Sequence, residues 1–171
     1  MTAHACYLAL VGLIAVQRLA ETRRSKRHHD ALLKRGAQEF GASHYPVMVV
    51  LHGSWLFACA AEAWWLVSEP PSWVWIAPAL VSLVLGQVLR ILAMNALGDR
   101  WTTRVIVLPD EPLITGGIFK VFRHPNYVGV VLEIAALPLV FGCWRTAVFY
   151  TLANALLLRH RRAVEEEALG G

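Results

Sequence analysis

Apolar and polar residues form long blocks along this chain. Apolar runs cover Ala5–Leu19, Tyr45–Val67, Trp73–Leu97 and Tyr127–Leu158. Several of them approach the roughly 20 residues that a helix needs to cross a bilayer. The first run is followed by basic residues, whereas a secretory signal has its basic residues in front. The pattern therefore predicts membrane-spanning helices, the first run included.

The last apolar run is too long for one span. A single helix over Tyr127–Leu158 would measure about 48 Å against a hydrocarbon core of about 30 Å. The sequence FGCWR in its middle has the small residues of a turn. We therefore expect an all-α integral membrane protein with about five transmembrane helices, of which the last two form a helical hairpin. Residues 1–171 are interpreted as a single domain.

The basic residues predict the orientation. Of the 16 Lys and Arg, only Arg90, inside the third run, and Arg145, at the turn of the hairpin, fall outside three segments that five spans place on one side. Those segments follow the first run, the third run and the last run. Because cytoplasmic loops carry an excess of Lys and Arg, we expect the N-terminus outside and the C-terminus in the cytoplasm, in a bacterial inner membrane.

Composition agrees with a membrane protein. The chain is 57% hydrophobic and 16% charged, against about a quarter charged in soluble domains, and it has seven Trp. The net charge of +4 is interpreted as a topology signal, so no nucleic-acid partner is predicted. The three cysteines show no pairing pattern, and the scattered histidines lack the spacing of a metal site, so no metal is predicted.

The stretch RHPNYVG lies where a polar loop meets the fourth span. Pro125 favours the first turn of a helix, which places His124 beside free backbone N–H groups that attract an anion. Tyr127 offers a ring and a hydroxyl, and Gly129 permits close approach of a ligand or a helix. The alternative is an interfacial belt in which Arg123, His124 and Tyr127 only anchor the helix.

The C-terminal sequence RHRRAVEEEAL places three acids at the end of a helix, where they oppose the dipole. Arg162 and Glu166 are four residues apart and can form an ordinary surface pair. These charged residues therefore either belong to a functional site or simply form a solvent-exposed helix end. Within the apolar runs, Glu62, Arg90 and Glu133 are costly ionisable groups, and an Arg90–Glu133 pair is as reasonable as a substrate contact.

The sequence TGGIFKVFRHPNYVG, followed after one hairpin by RHRRAVEEEAL, resembles the C-terminal signature of the isoprenylcysteine carboxyl methyltransferase family. The similarity covers about residues 97–169, and it extends to a short bacterial branch found beside type III polyketide synthases. The resemblance implies a membrane methyltransferase that uses S-adenosyl-L-methionine. It also implies a cofactor pocket between the loop and the C-terminal helix, on the cytoplasmic side.

The resemblance assigns roles by position. Residues matching the family's loop motif, implied to bind the cofactor, are Gly117, Arg123, His124, Pro125, Tyr127 and Gly129, with Phe119 where the family usually has Tyr. Residues matching its C-terminal motif, implied to be catalytic, are Arg161, Glu165 and Glu166. Arg161, or Arg100 from the loop, is expected to orient an anionic acceptor oxygen, and Glu166 also to bind the cofactor.

The branch suggests a lipidic acceptor, either an alkylpyrone or alkylresorcinol hydroxyl or a prenylcysteine-type carboxylate, and a functional link to a type III polyketide synthase. Two alternatives come from other classes. One is an NADPH-dependent membrane reductase related to sterol reductases. The other is a non-enzymatic membrane scaffold or lipid-binding subunit whose charges set topology alone.

Overall fold

The computed structural model describes residues 2–109 and 111–170, and most of them are helical. The α-helices are α1 (Thr2–Lys34), α2 (Tyr45–Trp65), α3 (Trp73–Leu97), α4 (Pro125–Leu139) and α5 (Trp144–Ala168). Two short strands, β1 (Gln38–Phe40) and β2 (Val105–Val107), pair in antiparallel fashion with Glu39 opposite Ile106. The nearly all-helical structure agrees with the prediction of an all-α membrane protein, and this small sheet is an addition to it. One of its strands is the β-branched run Val105–Val107, within the polar loop between α3 and α4.

The first helix is much longer than its apolar run. The basic segment after Leu19, which we expected to be a loop, continues α1 to Lys34. Arg, Lys, Ala and Leu favour helix, and neither Gly nor Pro interrupts the segment before Gly36, which has φ of 86°. At 33 residues, α1 measures about 50 Å, so its second half extends well beyond the apolar run.

The helices that carry the loop motif pack closely on their neighbours. A Cβ atom on Gly86 of α3 would lie 2.8 Å from the carbonyl oxygen of Gly129 in α4, and one on Gly129 would lie 2.6 Å from Cγ of Arg90. Glycine at both positions therefore permits the α3–α4 contact. The core around this contact contains Leu83, Val130 and Ile134.

Helices α4 and α5 form a hairpin whose turn lies at the predicted FGCWR sequence. The buried carboxylate of Glu62, on α2, accepts hydrogen bonds from the backbone N–H groups of Arg145 at 3.2 Å and Thr146 at 2.7 Å. These N–H groups belong to the first turn of α5 and have no partner within the helix. The intramembrane Glu62 is therefore a helix cap supplied by another helix.

Among the residues that the structure describes, three helical segments are long and apolar enough to cross a membrane: Thr2–Lys34, Ala42–Trp65 and Trp73–Arg100. Helix α4 is a shorter apolar helix, and α5 is apolar only in its first part. The observed α3 has the bounds predicted for the third span. The structure is that of an integral membrane protein, whereas the count of five spans stays a prediction.

Candidate active site

One cavity of about 790 Å³ lies between the helices and the loop that connects α3 to α4. Its size is within the range of small-molecule sites, about 300 to 1,000 Å³. The predicted site residues that line it are Arg100, Phe119, Arg123, His124, Pro125, Tyr127, Arg161, Glu165 and Glu166. Gly117 and Gly129 do not line it, and Gly129 lies at the α3–α4 contact, so their assignment to cofactor binding stays a prediction.

The start of α4 forms one wall of the cavity. Pro125 occupies the first turn, as expected, and the N–H groups of Tyr127 and Val128 bond to the carbonyl of His124. The rings of His124 and Tyr127 are stacked, with centroids 5.3 Å apart and planes within 9°. Nε2 of His124 and Oδ1 of Asn126 are buried and have no hydrogen-bond partner among the described residues. This wall therefore presents polar atoms to the cavity.

Helix α5 supplies the facing wall. The Tyr127 hydroxyl donates to Oε2 of Glu165 at 2.7 Å, and Nδ1 of His124 lies 3.8 Å from the same oxygen. Glu166 instead accepts from Arg162 at 3.2 Å, which is the surface pair expected from their spacing. This hydrogen bond holds the pKa of Glu166 below its usual range. The two adjacent acids thus have different surroundings, although both line the cavity.

The imidazole of His124 is held mainly neutral by its surroundings. Burial lowers its pKa from the ordinary value, and the neighbouring Arg162 and Arg123 lower it further against the opposing effect of Glu165. Each of these causes is expected, since a desolvated ring next to guanidinium groups resists protonation. A ligand carboxylate placed beside the ring would instead raise the pKa of His124.

Arg161 is the most enclosed basic residue of the C-terminal motif, with 6% of its surface exposed. One of its terminal nitrogens donates to the carbonyl of Thr103 at 2.9 Å, and its guanidinium carbon lies 5.8 Å from the centre of the Tyr127 ring. Its Nε is buried without a partner among the described residues. Arg161 therefore joins the loop, α4 and α5 at the cavity.

Arg100 differs from Arg161 because its hydrogen bonds stay within the loop. It donates to the carbonyl of Pro112 at 2.8 Å and lies 3.5 Å from Glu111. It still lines the cavity. Of the two arginines proposed to orient an acceptor, Arg161 is the one that contacts both the aromatic wall and the loop.

The C-terminal half of α1 holds the loop beside the cavity. Ser25 accepts from the backbone N–H of Thr103 at 2.8 Å, and Nδ1 of His28 donates to the carbonyl of Trp101 at 2.9 Å. Arg104 bonds to Glu39 of β1 at 2.5 Å. This arrangement was not predicted, because the basic second half of α1 was expected to be a loop.

A cluster of four ionisable residues lies beside the cavity and was only partly predicted from the sequence. It contains the half-buried Arg18 and the buried Glu21 of α1, the buried Arg90 of α3 and the buried Glu133 of α4. Arg90 lies 3.5 Å from Glu133, so the proposed pair is present. Arg18 bonds to both acids and Arg90 also bonds to Glu21. The i, i+3 spacing of Arg18 and Glu21 was the available signal.

Comparison with known proteins matches this architecture to one family. The model of the isoprenylcysteine carboxyl methyltransferase (ICMT) family matches residues 79–170. A Bacillus subtilis (strain 168) protein, the uncharacterized protein YpbQ, is 36% identical over 160 residues, covering 94% of each chain. An uncharacterized protein of Haemophilus influenzae is 27% identical over 146 residues, covering 85% of this chain and 84% of its own.

A solved structure gives the same result. The structure of the eukaryotic intramembrane Ras methyltransferase ICMT superposes with a TM-score of 0.55 at 25% identity, over 74% of this chain. This chain covers 46% of that structure's length, so it matches less than half of the eukaryotic protein. Residues 79–170, which the family model matches, include α4, α5 and most of the residues that line the cavity. The chain therefore belongs to the isoprenylcysteine carboxyl methyltransferase family, a family of membrane methyltransferases.

Proposed function

We propose that this protein is an S-adenosyl-L-methionine-dependent O-methyltransferase that acts at the membrane on a lipidic acceptor. The observation that carries the proposal is that one cavity joins the His124–Tyr127 turn to Arg161 and Glu165. The cavity lies at the ends of apolar helices, where a water-soluble donor and a lipid can both arrive. Family membership supports methyl transfer as the reaction.

The residues present fit S-adenosylmethionine. Its carboxylate requires donors, and the buried Nε2 of His124 and the backbone N–H of Asn126, in the first turn of α4, offer them. Its amino group requires acceptors, which Glu165 and Glu166 offer. Its adenosine requires an aromatic surface and polar partners, which Tyr127 and the unpartnered Oδ1 of Asn126 offer. Arg123 and Phe119 complete this part of the lining.

When bound, S-adenosylmethionine would supply a methyl group on a sulfonium, ready for in-line transfer to an acceptor oxygen with the sulfur as the leaving group. The protein's task is then to position two reactants and exclude water. The loop held on α1 lines the cavity, and Trp101 of this loop is almost fully buried. Arg161, whose Nε is unpartnered, is placed to hold an anionic acceptor oxygen by a charge-assisted hydrogen bond.

The acceptor classes that suit this site carry an oxygen on a lipid. Alkylpyrone or alkylresorcinol hydroxyls and prenylcysteine-type carboxylates both present such an oxygen beside a long apolar chain. Exposed apolar side chains on the outer faces of α2 and α3 are consistent with surrounding lipid. The proposal extends to a functional link with a type III polyketide synthase, which would supply the hydroxylated acceptors.

We expect detergent-purified protein to bind S-adenosylmethionine and S-adenosylhomocysteine with micromolar affinity in calorimetry, and not NADPH. His124→Ala removes one charge-assisted donor, so we expect affinity at least about tenfold weaker. His4→Ala is the matched control, because His4 bonds to the carbonyl of Val67 at the other end of the molecule. Absence of binding in folded wild-type protein would contradict the proposed function.

The same titrations give a pH dependence. A bound carboxylate stabilises the protonated ring of His124, so the complex has a higher His124 pKa than the free protein. We therefore expect affinity to increase as pH is lowered from about 8 to about 6, around the ordinary histidine value near 6.5. The His124→Gln variant should show a flatter profile, and an equal slope in both proteins would contradict this role.

We further propose five spans in a bacterial inner membrane, with the N-terminus outside and the C-terminus in the cytoplasm. The clustering of basic residues beside the cavity supports this orientation. In a cysteine-free background, Thr2→Cys should react with an impermeant maleimide on intact cells, and Glu167→Cys only after permeabilisation. The reverse labelling pattern would contradict the orientation.

A further inference from the structure

We propose that His52 accepts the proton of a hydroxyl acceptor, so that the oxygen methylated is a phenolic hydroxyl rather than a carboxylate. The inference rests on the proposed methyltransferase function and deepens it. His52 lies about two turns inside α2 and lines the same cavity as Tyr127 and Arg161. It does not belong to either motif that suggested the site.

The orientation of the ring follows from one hydrogen bond. Nδ1 of His52 lies 2.8 Å from the carbonyl oxygen of Met48. A carbonyl oxygen only accepts, so Nδ1 is the donor and carries a hydrogen. In the neutral ring this leaves Nε2 with its lone pair, and no side chain among the described residues bonds to it. An imidazole fixed in this tautomer is arranged to take a proton at Nε2.

His52 lies near Arg161, the residue proposed to orient the acceptor oxygen. Met48, one turn earlier on α2, contacts the guanidinium of Arg161. The proton acceptor and the residue proposed to orient the acceptor oxygen therefore lie on adjacent parts of the cavity wall. The titratable and charged groups that line this cavity are Arg18, Glu21, Tyr45, Arg90, Arg100, Arg104, Glu111, Arg123, His124, Tyr127, Arg161, Glu165 and Glu166.

A residue that accepts a proton helps a hydroxyl acceptor but not a carboxylate acceptor. A carboxylate is already ionised at neutral pH and can attack directly, whereas a phenol, with a pKa of about 10, is protonated. In the proposed step, the acceptor O–H bond breaks and its proton moves to Nε2 of His52. The O–CH3 bond forms as the S–CH3 bond of the sulfonium donor breaks, and the donor leaves as a neutral thioether.

The test compares acceptors that differ in acidity. Two alkylphenols of equal chain length are used, one with an ordinary hydroxyl and one fluorinated so that it is ionised at the assay pH. His52→Asn keeps an N–H for the Met48 carbonyl and removes Nε2. We expect it to slow methylation of the ordinary phenol by about a hundredfold or more and to leave the ionised phenol within about threefold of wild type. Raising the pH towards the ordinary phenol's own pKa should restore much of the lost rate.

Three results separate the possible failures. Equal loss on both phenols would show that the His52 ring shapes the cavity rather than accepting the proton, and would overturn the inference. Methylation of N-acetyl-S-farnesylcysteine but of neither phenol would overturn it as well, while leaving the methyltransferase function intact. No binding of S-adenosylmethionine to wild type would end both proposals. His4→Gln, which keeps its bond to Val67, is expected to behave as wild type on both phenols.

Discussion

Replacing Glu133 by Gln is expected to lower the free energy of unfolding by about 3–5 kcal/mol, the usual cost of leaving a buried charge unpaired. Glu133 is fully buried, and its Oε2 accepts from Arg18 and lies 3.5 Å from Nε of Arg90. Without its negative charge, two arginines would share only Glu21. The result would appear as a lower midpoint in thermal unfolding of the detergent-purified protein.

A double variant separates charge balance from packing. Arg90→Met in the Glu133→Gln background removes the one excess positive charge and should recover part of the loss, so that the two changes are not additive. Glu167→Gln, at an exposed position of α5, is the control and should leave the midpoint nearly unchanged. A Glu133→Gln protein as stable as this control would contradict the role of the network.

The bounds of the apolar helices could be predicted because residues that start and stop helices lie at their ends. Helix α3 begins after SEPPS and ends at Gly98, and both signals are local. The length of α1 could not be predicted from hydropathy, because polarity was taken as a sign of a loop. Helix propensity without Gly or Pro was the better guide over residues 20–34.

Only part of the candidate site could be predicted from the sequence. The loop motif and the C-terminal motif lie on opposite walls of one cavity, as their resemblance to a family implied. His52 and Arg18 also line it, yet no local pattern marks His52 and only the i, i+3 spacing to Glu21 marks Arg18. Their contribution depends on how α1 and α2 pack against α5, and that packing depends on contacts between residues far apart in sequence.

Replacing Arg161 by Ala is expected to reduce methyl transfer by roughly 10²–10³-fold, the usual effect of removing a donor aimed at developing or resident negative charge. Affinity for S-adenosylmethionine should change little, because the donors and acceptors proposed for it lie on His124, Glu165 and the start of α4. Arg161→Lys should be nearly as impaired, since an ammonium group cannot reproduce the planar fork of a guanidinium. Initial rates with radiolabelled donor and binding calorimetry measure the two effects separately.

The control for Arg161 has to account for its second contact. Arg161 also donates to the Thr103 carbonyl, so its loss loosens the loop as well as removing a charge. Ser25→Ala removes the two hydrogen bonds by which Ser25 holds the backbone N–H and the hydroxyl of Thr103, and it leaves every guanidinium in place. If Ser25→Ala slows methyl transfer as much as Arg161→Ala does, then holding the loop closed, rather than orienting the acceptor oxygen, is what Arg161 contributes. A small effect of Ser25→Ala beside a large effect of Arg161→Ala assigns the loss to the guanidinium itself.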